Sequence, residues 1–156
     1  PMLAMTHCDA AKLSKQHGKK AEYALCASQW HKTLSYTDAF FKDGMTYDAD
    51  FKKAFGYAPP YQAAESSAAL LVFKDAFERA NDFNTKKVRN ALAKTDMQTF
   101  YGNIKFAKGG QNVSKPMVLF QVICNSDGSK CENKVVAPTK WASAKLVHPT
   151  PSWSKR

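Results

Sequence analysis

The chain has 156 residues, 44% of them hydrophobic and 23% charged, which is ordinary globular composition for about one domain and excludes disorder across its whole length. Its net charge is +10, but the basic residues are scattered, and the densest clusters are pairs such as Lys19-Lys20, Lys52-Lys53 and Lys86-Lys87. No basic run is interleaved with aromatics, so no nucleic-acid partner is expected; a solvated basic face, an acidic ligand or an anionic membrane surface each fits the excess.

Residues 2–5 are apolar and read as the end of a buried strand; they are too short for a signal peptide or a membrane span. Asp9 is placed to cap a helix over 10–16 that Gly18 stops. The run 21–27 reads as a second strand, so the first thirty residues suggest a βαβ unit of a parallel sheet. Residues 31–45 are aromatic-rich without clean periodicity and read as a connection. Thr46 is expected to cap a helix over 47–55, ended by Gly56. After Pro59-Pro60 comes the longest helix, 61–80; its first half, 63–73, is apolar or small on every face and reads as buried all round. Asn84 or Thr85 starts another helix through 93. Phe100, Gly102, Ile104 and Phe106 alternate with polar residues as in a short strand. Residues 117–123 form a strand followed by an Asp127-Gly128 turn, and 138–156 read as an irregular tail anchored by Trp141 and Trp153.

The hairpin around Asp127-Gly128 carries Cys124 to a position across from Cys131, which leaves either a disulfide or two free thiols open there. A bridge would imply an oxidising compartment. Cys26, in an apolar run, reads as a buried inert thiol. The four cysteines and four histidines show no metal-ligand spacing, so no cofactor or metal is expected. No phosphate loop, dinucleotide fingerprint, HExxH or GxSxG occurs, and adjacency of His7 and Cys8 does not make a nucleophile–base pair, so the chain reads as no enzyme.

Four stretches together carry a family likeness: Gly18-Lys-Lys-Ala-Glu-Tyr-Ala-Leu; Phe55-Gly-Tyr-Ala-Pro-Pro-Tyr-Gln-Ala-Ala; Asp75-Ala-Phe-Glu-Arg-Ala with Lys87-Val-Arg-Asn-Ala-Leu; and Phe100-Tyr-Gly-Asn-Ile-Lys-Phe leading through a Gly-Gln-Asn turn to the strand from Met117. In order and spacing, residues 1–138 resemble the carboxy-terminal portion of a type I periplasmic solute-binding protein of an ABC importer, of the leucine/isoleucine/valine-binding (branched-chain amino acid) family. The resemblance implies an α/β fold with three-layer parallel-sheet lobes and a ligand held between two lobes. It assigns 1–30 to part of the second lobe, 31–113 to part of the first, 114–137 to a return into the second, and 138–156 to a tail. It also implies that the family's amino-terminal part, which supplies most of the first lobe's sheet, is absent here. Alone, the chain would struggle to bury its sheet faces, and dimerisation is one remedy.

By the same resemblance the family's second-lobe carboxylate, which holds an amino acid's ammonium, falls near Thr6. Thr6 is not a carboxylate, which departs from plain α-amino-acid recognition and leaves an amino acid or a related organic acid or amide open as the expected ligand. Thr6, His7 and Cys8 either contact the ligand or merely begin a helix; a turn at a strand's carboxyl end favours the former. Ser67 lies near a position where the family often has a cleft tyrosine. Glu65 either faces a polar cleft or is stabilised by the helix dipole. Trp30 either stacks on the ligand or packs under the crossing between lobes. The expected function is the binding component of an importer, periplasmic, delivering its solute to a membrane permease after the lobes close. The alternatives are a ligand-sensing receptor domain of the same fold with a regulatory partner and, further off, a basic nucleic-acid-binding protein.

Overall fold

The computed structural model describes residues 2–6 and 8–156. Its backbone contacts gather into two compact units: one takes the chain up to Gln29 together with Met117–Arg156, the other takes Trp30–Pro116.

The first unit is built on a four-stranded sheet in the order β1 (Ala4–Met5), β2 (Leu25–Ser28), β7 (Val118–Cys124), β8 (Cys131–Ala137). β1 and β2 are parallel, with Met5 opposite Cys26; β2–β7 and β7–β8 are antiparallel. The sheet is therefore mixed, with the expected parallel pairing confined to its first two strands. Helix α1 (Ala10–His17) connects those strands. Asp9 caps it by accepting the Lys12 N–H at 3.0 Å, and Gly18 closes it. The second strand starts later than the apolar run suggests, because 18–21 is a 3-10 turn and Tyr23 takes a left-handed φ of 67°.

In β7 the side chains of Val118, Phe120 and Val122 are buried, and so is the amide of Gln121. A buried amide needs partners. Gln121 finds them in the tail: its Oε1 accepts the Val147 N–H at 2.8 Å, and its Nε2 donates to the Val147 carbonyl at 3.1 Å. At the chain's end the Arg156 guanidinium donates to the Glu22 carbonyl at 2.8 Å and lies over the Trp153 ring at 4.1 Å. These two polar residues fasten the tail. The tryptophans expected as its anchors do less: Trp153 is exposed and Trp141 half-buried.

In the second unit a short strand pair, β3 (Thr37–Asp38) and β4 (Lys42–Asp43), precedes α2 (Gly44–Phe55). The cap is Asp43, which accepts the Thr46 N–H at 2.7 Å, rather than Thr46 itself. Helix α3 (Tyr61–Ala80) carries a buried stripe of Ala64, Ala68, Leu71, Val72 and Ala76. It is not buried all round: Leu70 is 66% exposed and Phe73 46%. The stripe follows helical spacing, and the alanines and serines opposite are too small to demand burial. Helix α4 (Thr85–Leu92), capped by Asn84, packs on α3; Arg79 ties the pair by donating to the Ala91 carbonyl at 2.8 Å. A hairpin, β5 (Asp96–Thr99) and β6 (Gly102–Lys105), turns at Phe100-Tyr101, where a single strand was expected. Phe100 is fully buried; its ring meets Tyr47 at 4.3 Å and Phe41 at 5.0 Å, and such burial contributes about 1.5–3 kcal/mol.

Candidate functional site

In the first unit, the candidates from the start of the chain are Thr6, His7 and Cys8. Thr6 is exposed at the carboxyl end of the strand, and His7 lies outside the described residues. Cys8 is not a free thiol: it is bridged to Cys26, with Cα atoms 5.8 Å apart. Cys26 is thus a disulfide partner, correcting the reading of it as an inert thiol. The parallel register explains the pairing. Met5 sits beside Cys26 in that register, so the segments that carry Cys8 and Cys26 are neighbours. Asn133 of β8 adds a second tie, its Nδ2 donating to the Cys8 carbonyl at 3.1 Å. Cys124 and Cys131 are bridged across the β7–β8 hairpin, Cα atoms 4.0 Å apart.

In the second unit, Trp30 is 4% exposed, with Tyr47 and Phe100 edge-on to its ring at 5.8 and 6.1 Å. It packs as part of that unit's aromatic cluster. Ser67 of α3 is half-buried and shares a 3.0 Å hydrogen bond with the Tyr47 hydroxyl, so Trp30 and Ser67 meet on the same tyrosine. Burial raises the Tyr47 phenol, and the bond to Ser67 pulls the other way. Glu65, two residues earlier on α3, is exposed.

Glu65 belongs to a group that the sequence does not announce. The Lys115 ammonium stands 4.0 Å from the centroid of the Tyr101 ring, a cation–π contact. Its stem crosses Gly102, at φ +147°, where an added Cβ would come within 2.5 Å of the Lys115 methylenes. Burial pushes the Lys115 amine down to about 8, against the pull of the Glu65 charge. Burial raises the Tyr101 phenol, and the charges of Glu65 and Tyr61 add to that. Helix α3 thus offers two polar places: Ser67 on Tyr47, and Glu65 acting on Lys115 and Tyr101. The only sequence signal for the second is Gly102 beside an aromatic, and Lys115 is thirteen residues further on.

A family model described as periplasmic binding protein matches residues 1–129. The chain belongs to the periplasmic binding protein family. Solved structures of this fold superpose on it. A leucine-, isoleucine-, valine-, threonine- and alanine-binding protein of Brucella ovis in a closed conformation matches with a TM-score of 0.69 and 17% identity, over 96% of this chain and 40% of that one. A leucine-binding protein of Thermotoga maritima matches at 0.62 and 21% identity, over 83% and 35%. A periplasmic binding protein of Burkholderia mallei matches at 0.65 and 15% identity, over 88% and 38%. The α/β fold is thus that of type I periplasmic binding proteins, and the chain spans 35–40% of the length of these three. The family is one of solute-binding proteins. Among the described residues, no helix is long and apolar enough to cross a membrane.

Proposed function

We propose that this chain contributes parts of both lobes to the substrate-binding component of an ABC-type importer, which captures an amino acid or a related organic acid or amide and hands it to a membrane permease. The family match over residues 1–129 carries the reading. On this reading the unit holding β1, β2 and β7 would belong to the second lobe and Trp30–Pro116 to the first, which agrees with two separate compact units. Capture needs no covalent chemistry. Closure would remove the solute from water, where fixed hydrogen bonds and charges gain strength.

In this reading Thr6 and His7 are the second lobe's candidates for the solute and Glu65 is the first lobe's, with Lys115 and Tyr101 within reach of its charge. Cys8 and Trp30 support the site, through the disulfide and the aromatic cluster respectively. Both disulfides fit an exported, periplasmic protein. A thermal-shift screen of the full-length protein against amino acids, organic acids and amides tests the proposal. A true ligand at a hundred times its Kd should add about 2.7 kcal/mol of stability and raise Tm accordingly. A flat response to all three classes would remove the importer reading.

A further inference from the structure

Formal charge in the first unit is lopsided. Its acidic side chains are Asp9, Glu22, Asp127 and Glu132, against lysines at 12, 15, 19, 20, 130, 134, 140, 145 and 155 and Arg156. Five of these nine lysines come from two segments that the fold locks together. Lys12 and Lys15 lie one turn apart on α1, Lys19 and Lys20 follow in the 3-10 turn, and Lys130 ends the β7–β8 hairpin loop; all five are exposed.

Three contacts join the segments. Lys19 Nζ donates to the Ser126 carbonyl at 3.0 Å, and Ser14 Oγ donates to the Gly128 carbonyl at 3.1 Å. Gly128, at φ +73°, is so close that an added Cβ would lie 2.7 Å from the Lys19 Cβ. The Cys124–Cys131 disulfide closes the hairpin behind that contact, so the lysines stand on a braced surface.

The nearby carboxylates are already engaged. Asp9 pairs with Lys12, and Glu132 lies between Lys130 and Lys134. Asp127 accepts the Ser129 N–H at 2.9 Å. Among the described residues, no ion pair engages Lys15, Lys19 or Lys20. The two segments contain lysines and no arginine. An ammonium on a flexible stem is a point charge suited to a diffuse anionic surface, whereas shaped acidic sites and bases favour the bidentate arginine fork. Neither segment holds a Phe, Tyr or Trp to stack a base; His17 is the one aromatic ring there.

We propose that the surface formed by α1, the following 3-10 turn and the β7–β8 loop is an electrostatic docking face for an anionic phospholipid bilayer. It carries no exposed apolar wedge, so the attachment is reversible and screened by salt.

Co-sedimentation of the full-length protein with vesicles of phosphatidylglycerol in phosphatidylcholine tests this, with pure phosphatidylcholine vesicles alongside. The protein should pellet with the anionic vesicles only, and salt should release it. Replacing Lys15 and Lys20 by alanine should weaken partitioning by about fivefold per lysine, with the melting temperature unchanged. Replacing Lys86 and Lys87 of the other unit should leave partitioning nearly intact. Equal loss in both variants would mean that net charge alone acts, and would overturn the proposal. So would equal binding to both vesicle types, or selective capture of duplex RNA or an acidic peptide without lipid binding.

Discussion

At the scale of single residues, Thr6 and Lys115 decide most. In the proposed reading Thr6 stands where the resembled family carries a carboxylate, so the ammonium of an amino-acid solute would lack that counter-charge. Thr6→Glu should raise affinity for an α-amino acid about tenfold in calorimetry, the worth of one charged hydrogen bond. Unchanged affinity would separate Thr6 from the solute. Lys115 was not legible in the sequence. It looks like any surface lysine until the hairpin turn brings Tyr101 beneath it. Its amine is depressed from the ordinary 10.5 to about 8 by burial, so the folded protein releases that proton before the unfolded chain does. Between those values the unfolded state binds more protons, and stability must rise with pH. Urea midpoints of the wild type should therefore gain on those of Lys115→Met as pH climbs from about 8 toward 10. A constant difference would show the amine titrating normally.

At the scale of elements, punctuation was legible and partnership was not. Asp9 and Gly18 bracket α1, Gly56 ends α2, and 61–80 is helical throughout because each carries a local signal in its own side chain. The β5–β6 hairpin was half missed because its turn residues are Phe100 and Tyr101, not the Asn or Gly that advertise a turn. The Cys8–Cys26 bridge was missed because it depends on the parallel register of two strands, which no local pattern prints. On loop-closure entropy, the seven-residue separation of Cys124–Cys131 is worth about 2.5 kcal/mol, and the eighteen-residue separation of Cys8–Cys26 about 3 kcal/mol. Replacing Cys8 and Cys26 together by serine should lower Tm at least as far as replacing Cys124 and Cys131, as scanning calorimetry would read. A larger loss from the hairpin pair would show that the β1–α1 turn holds itself without the bridge.

At the scale of the molecule, the two units could not be read from composition, since the first joins the residues up to Gln29 with Met117–Arg156, far apart in sequence. What the sequence offered instead was order: four weak motifs at family spacing, now joined by a family match over 1–129. The proposed capture requires a solute that closes two lobes around itself. Small-angle X-ray scattering of the full-length protein, without solute and saturated with one that thermal shift has identified, measures that closure. A smaller radius of gyration with solute is the predicted result. An unchanged radius, with calorimetry showing the solute bound, would contradict it.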